Sequence, residues 1–171
     1  ARRKLERKLA ESKSELADTQ AELSDTQVQE KRARHLALHD FVTGLPNRTL
    51  LNDRLNTALA LAKRHTWRLA VMFLDLDKFK SINDSHGHGV GDKVLKIVSE
   101  RLQNSVRGAD TVGRQGGDEF LYLMQEIKDE AGVEHAAAKI IENIAQPFEV
   151  DGLTLTVQPS IGIGIYPQDG G

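Results

Sequence analysis

Residues 112–124 read "VGRQGGDEFLYLM", two adjacent glycines that run into an aspartate, a glutamate and then an apolar stretch. Glycine adopts positive φ without a steric penalty and the flanking residues are strand formers, so the segment predicts a β-hairpin with Gly116-Gly117 as its two-residue loop. The carboxylates are the unusual part. Side chains alternate faces along a strand, so at least one of Asp118 and Glu119 must point toward whatever covers the sheet.

Upstream, "RLAVMFLDLD" at residues 68–77 is a continuous apolar run that begins to alternate at its end, the pattern of a central buried strand. In a strand Asp75 and Asp77 share one face, and Leu74 and Leu76 the other. Charges at the end of such a strand are costly unless they are paired or bind a cation. A hard ion such as Mg²⁺ suits the position, because it takes one or two carboxylates together with carbonyl and phosphate oxygens. If this strand and the hairpin are neighbours, Asp75 and Asp118 share the ion. The plainer alternative is that both aspartates open a loop and cap the next turn.

The residues between that strand and the next helix, "KSINDSHGHGVGD" at 80–92, read as a polar loop punctuated by Gly87, Gly89 and Gly91, where backbone can approach a ligand closely. Its histidines, His86 and His88, invite a zinc reading, but neither cysteines nor a helical histidine pair accompanies them. A purine is the better match. The Asp92 carboxylate can accept from the adjacent N–H groups of a guanine Watson–Crick edge, and the Asn83 amide can donate and accept. Asp92 would equally suit a helix N-terminus.

The rest of the chain supplies the frame. Gly44 and Pro46 break a helix, and Asn47 is placed to cap a second amphipathic helix that runs to about His65. Further helices are predicted over about 90–106 and 130–145, the hairpin strands over about 110–125, and strand material with an Asp151-Gly152 turn at the end. The result is an α+β domain with helices on a mostly antiparallel sheet.

Residues 1–39 differ: they contain no Gly, Pro or aromatic residue and carry both signs of charge throughout. Leu9, Leu16 and Leu23 recur at heptad spacing, with Leu5, Ser12, Thr19, Thr26 and Ala33 on the companion positions. This predicts a weakly pairing parallel coiled-coil stalk, against the alternative of a solvated single helix. The domain division expected is therefore 1–39 and 40–171.

Composition narrows the function classes. The 171 residues allow one domain with a sizeable core and little more. With 23 basic and 25 acidic residues, net charge −2, nothing global points to nucleic acid or an anionic membrane. The absence of cysteine removes disulfides and thiolate metal sites and fits a cytoplasmic location. No apolar run reaches transmembrane length, so any membrane tether of a parent protein is expected outside these residues.

Three motifs, "DFVTGLPNR", "FLDLDKFKSINDSHGHGVGDKVL" and "RQGGDEF", in this order and at these spacings, resemble the GGDEF family of diguanylate cyclases from Asp40 to the C-terminus. The resemblance implies a palm-like nucleotide-cyclase fold and condensation of two GTP to cyclic di-GMP with release of two pyrophosphates. By position, Asp75, the Leu76 carbonyl and Asp118 match the family's Mg²⁺ or Mn²⁺ site, with Glu119 a further carboxylate near the metal. Asp118 also matches the residue proposed to take the proton of the attacking hydroxyl. Asn83 and Asp92 match guanine recognition, His88 lies among the substrate contacts, and Phe79 and Lys80 match the segment wrapping the phosphates. Gly116 and Gly117 let backbone amides come near the nucleotide.

"RGAD", Arg107–Asp110, is similar to the family's inhibitory RxxD site for product; an arginine at a helix end and an aspartate opening a strand is the plainer alternative. The resemblance also implies a homodimer with one GTP per domain, an upstream sensor, and in composite members an EAL-type phosphodiesterase that a weakly active GGDEF domain regulates. The sequence departs from the family pattern at "YPQDGG", where the usual last helix with its tyrosine and basic residues does not follow. That predicts weakened GTP binding or turnover and a partly uncovered sheet.

Overall fold

The computed structural model describes residues 2–170; the side chains of residue 2, residues 4–11, and residues 14 and 15 lie outside the description. The chain forms two units, Ala1–Ala37 and Leu38–Gly171. Helix α1 (Arg2–Leu38) accounts for the first. Leu16 and Leu23 of the heptad seam are well exposed on it, while Leu5 and Leu9 fall outside the described side chains.

The second unit begins with a tight loop in which Gly44 takes φ 71° and the Asp40 carbonyl accepts from the Gly44 N–H. Asn47 then caps α2 (Arg48–His65), its side chain accepting from the Thr49 and Leu50 N–H groups, an arrangement worth about 1 kcal/mol. Lys63, Arg64 and His65 in the last turn complement the helix dipole.

β1 (Leu69–Leu76), β2 (Thr111–Gly116), β3 (Glu119–Met124) and β6 (Pro159–Tyr166) form one antiparallel sheet in the order β2-β3-β1-β6. β4 (Phe148–Val150) and β5 (Leu153–Leu155) pair separately through the Asp151-Gly152 turn. Helices α4 (His88–Ser105) and α5 (Glu130–Ala145) bury Val94, Leu102, Ile140 and Ile144 in one core with Met72, Leu74, Phe120 and Tyr122 of the sheet. The other face packs Leu121 and Leu123 against Leu51, Ala58 and Ala62 of α2. β3 is thus covered on both sides. β1 is covered on both only in its first half: Phe73 is 57% exposed, so the alternation at the strand's end marks a face left open.

Two expectations need correction. The segment 80–92 is not a loop, because α3 (Phe79–His86) and the start of α4 occupy it. Phe79 is buried and Ile82 packs on the core, which gives a short polar-looking helix one apolar side. Gly87, at φ 84°, is the break between the helices, whereas Gly91 lies inside α4 where a Cβ would meet the Asn83 side chain.

The hairpin loop is Gly117-Asp118 rather than Gly116-Gly117. Gly116 pairs with Glu119 after a bulge between Arg114 and Gly116. The bulge absorbs one residue of β2 and shifts the turn along the chain, which removes Asp118 from the strand.

Candidate functional site

The shifted turn decides how the carboxylates meet. Asp75 stands directly opposite Glu119 across the β1–β3 ladder. Directly opposed residues of an antiparallel pair project to the same face, so Glu119 shares the open face with Asp75. With Asp118 in the turn rather than the strand, strand alternation does not set the two carboxylates on opposite faces. Asp118, in the turn, adds its charge from the end of the hairpin.

The electrostatics record the crowding. Desolvation, followed by the negative charges of Asp118, Glu119 and Asp77, pushes the Asp75 carboxyl above its ordinary value. Phe73, Asp75, Glu119, Ser160 and Gly162 line a cleft of about 470 Å³ on this face. Asp77 lies past the strand end, accepts from the Ser160 hydroxyl at 2.8 Å, and lines a different cleft with Lys78, Ser81 and His86. Ser160 stands opposite Asp75 across the β1–β6 ladder, so its bond to Asp77 keeps both aspartates on one side of the sheet, as the alternation predicts, although they line different clefts. The turn-capping alternative is not met: Lys78, the N-cap residue of α3, makes no side-chain cap hydrogen bond, and Asp77 Oδ1 is taken by the Ser160 hydroxyl.

Among the described residues no three carboxylates or imidazoles gather tightly enough to hold a metal by themselves. The donor set nonetheless fits a hard divalent cation that brings substrate oxygens with it, since Mg²⁺ is usually held by one or two carboxylates plus phosphates. A cation there would offset the desolvation and the repulsion that together raise Asp75.

The residues expected to read a purine lie on α3 and α4. Asn83 Oδ1 is buried without a hydrogen-bond partner. A Cβ on Gly91 would come within 1.9 Å of that oxygen and 3.2 Å of the Phe79 ring, so a side chain at 91 cannot coexist with this amide position. Asp92 is exposed in the second turn of α4, past the first turn where a helix dipole would explain it, and exposed His88 opens the helix. Phe79 is 6% exposed, so its ring belongs to the core and only its backbone is left for a ligand. Lys80 is exposed, and Lys78 before it takes φ 60°.

Two residues without an assigned role in the sequence reading hold the hairpin. Arg114 Nη1 donates to both oxygens of Asp40, at 2.9 and 3.0 Å, and Nε and Nη2 donate to the Gly117 carbonyl at 2.9 and 2.6 Å. Their 74-residue separation left no local signal. Partial burial pushes the Asp40 carboxyl up, but hydrogen bonds from Arg114 and Thr43 outweigh it and hold it below its ordinary value.

At the RGAD segment the Asp110 N–H donates to the Arg107 carbonyl at 3.1 Å. Asp110 accepts from the Tyr122 hydroxyl at 2.7 Å and the Gln125 N–H at 3.0 Å, and Arg107 is exposed. The aspartate thus has a structural role whether or not it meets a ligand.

Residues 37–171 match the family model described as diguanylate cyclase, GGDEF domain. The chain belongs to the GGDEF family. It is 47% identical over 135 residues to the bifunctional diguanylate cyclase/cyclic di-GMP phosphodiesterase MucR of Pseudomonas aeruginosa, covering 79% of this chain and 20% of MucR. Over 138 residues it is 44% identical to the cyclic di-GMP phosphodiesterase NbdA of the same organism, covering 80% of this chain and 17% of NbdA. The solved GGDEF domain of TpbB from Pseudomonas aeruginosa superposes with a TM-score of 0.74 at 41% identity, covering 77% of this chain and 78% of that one. The GGDEF chain therefore spans a fifth or less of the two full-length relatives MucR and NbdA. Among the described residues no helix is long and apolar enough to cross a membrane.

Proposed function

We propose that this GGDEF domain is a diguanylate cyclase that condenses two GTP to cyclic di-GMP. In each of two equivalent steps the 3′-hydroxyl oxygen of one GTP bonds to the α-phosphorus of the other. The bond to the β-bridging oxygen breaks, pyrophosphate leaves, and the hydroxyl proton passes to a base.

The reading is carried by the placement of Asp75 opposite Glu119 with Asp118 in the adjoining turn. Asp75, the Leu76 carbonyl, Asp118 and Glu119 would hold Mg²⁺ or Mn²⁺. Such an ion, when bound, neutralises charge on the triphosphate. Asp118 is the base for the 3′-hydroxyl. The buried Asn83 amide and exposed Asp92 orient guanine, while Lys80 and the backbone at Phe79 and Gly116-Gly117 meet the phosphates. Alignment of the two reactants supplies much of the rate, because little covalent chemistry is asked of the protein.

Each domain holds one GTP, so the symmetric product requires a homodimer across a two-fold axis. Residues 1–39 serve as a parallel coiled-coil stalk that carries a signal from an upstream sensor and sets the distance between the two half-sites. Product feedback acts through Arg107 and Asp110.

A second reading draws on NbdA, which is named a phosphodiesterase although it matches this GGDEF chain at 44% identity. In it the domain binds GTP or cyclic di-GMP and regulates an EAL-type neighbour. Incubation with GTP and Mg²⁺, with mass detection of cyclic di-GMP and Asp118→Asn as the control, separates the two. Product that disappears with the substitution supports the enzyme; GTP binding without product supports the regulator.

A further inference from the structure

Tyr122 is buried in the middle of β3, and its hydroxyl reaches out of the core to Asp110. A buried phenol needs a hydrogen-bond partner, and this one has taken the aspartate of the RGAD segment. Burial, then the hydrogen bond and charge of Asp110, raises the phenol pKa, so the hydroxyl remains a donor through the physiological range. The Gln125 N–H holds the other carboxylate oxygen. An ionised carboxylate offers about four acceptor positions, so two are used and about two remain. Two is also the number of adjacent N–H donors on a guanine Watson–Crick edge. Exposed Arg107, three residues away, is the side chain type that reads the opposite, acceptor edge of guanine.

We propose that Tyr122 is a positioning residue for product binding: its hydroxyl fixes the Asp110 carboxylate in one rotamer, so that the free acceptors meet a guanine of cyclic di-GMP. The inference rests on the reading of Arg107–Asp110 as the product site. Without the hydroxyl, Asp110 keeps only the Gln125 hydrogen bond and must be ordered by the ligand itself. The loss of one hydrogen bond to a charged group predicts weakening of roughly tenfold.

The test measures cyclic di-GMP and GTP affinities of the chain by calorimetry for the unsubstituted protein, Arg107→Ala and Tyr122→Phe, with the melting temperature of each. Phenylalanine keeps the buried ring, so packing is retained. The expected result is cyclic di-GMP affinity about tenfold weaker in Tyr122→Phe with GTP affinity unchanged. If the unsubstituted chain does not bind cyclic di-GMP, or Arg107→Ala binds it equally well, the product-site reading fails and takes this inference with it. Weakening in Arg107→Ala but not in Tyr122→Phe overturns the role of Tyr122 alone. Equal weakening toward both nucleotides also overturns it, because a packing defect would act that way.

Discussion

Arg114 binds Asp40 and the Gly117 carbonyl at once, so the first loop of the GGDEF domain and the tip of its hairpin share one guanidinium. The side chains are 10% and 15% exposed, which removes most of the solvent screening that makes surface pairs weak. Arg114→Ala leaves a partly buried carboxylate unpaired and should lower unfolding free energy by about 3 kcal/mol in urea titrations at neutral pH. Asp40 is lowered in the folded state, so its contribution is present above its ordinary value of 3.8 and is lost as pH falls through the lower folded value. The gap between wild type and Arg114→Ala should therefore narrow in acid. A gap of the same size at pH 2.5 and pH 7 would show that the ion pair is not its source.

Gly91→Ala should damage ligand binding more than folding. The added methyl would sit 1.9 Å from Asn83 Oδ1, and the displaced amide could no longer present itself to a base. Loss of one such polar contact corresponds to roughly tenfold in GTP affinity. Gly89→Ala is the matched control, since a Cβ there meets nothing within 4 Å. It should bind GTP as wild type does, with a helix slightly stabilised by alanine. Equal GTP affinity in the two variants would remove Asn83 from the purine site.

Asp75 makes the opposite pH statement to Asp40. Its folded value is raised, so its favourable contribution exists below the ordinary carboxylate value and is lost as pH rises through the raised one. At neutral pH and without divalent ions, Asp75→Asn removes repulsion from Asp118, Glu119 and Asp77 and should raise the melting temperature. Mg²⁺ with GTP should then stabilise the wild type and leave the variant nearly unmoved. A variant that melts lower than wild type in metal-free buffer would contradict the view that this acidic cluster is held at a cost to stability.

These sites differ in how far local pattern revealed them. The helix caps, the apolar run of β1 and the hairpin were legible because each is written in neighbouring residues: Asn47 before α2, Leu69–Leu76, the glycines before Asp118. α3 was not, because eight residues with only Phe79 and Ile82 on the apolar side carry too little periodicity to stand out from a polar loop. The turn shift at Gly116 came from a bulge, which depends on how two strands pair and not on either alone. The Asp40–Arg114 and Tyr122–Asp110 contacts are tertiary. The motifs could name the acidic residues, but the ladder register was required to decide that Glu119, and not Asp118 alone, stands with Asp75.

The stalk carries the last prediction. Leu16 and Leu23 are 58% and 57% exposed on α1, one heptad apart, and Ser12, Thr19 and Thr26 occupy the companion seam. Leucine at one seam position and small polar residues at the other give a coiled coil little burial per heptad, so pairing should be weak and easily shifted. Replacing both leucines by lysine would place like charges in the seam and abolish what pairing exists. In sedimentation equilibrium the double variant should be monomeric at concentrations where wild type associates. Cyclic di-GMP synthesis should then rise with the square of protein concentration, because two domains must meet in solution before the 3′-hydroxyl of one GTP can reach the α-phosphate of the other. Unchanged association and unchanged concentration dependence would mean that α1 does not pair through this seam, and the half-sites would have to be brought together by the globular domains alone.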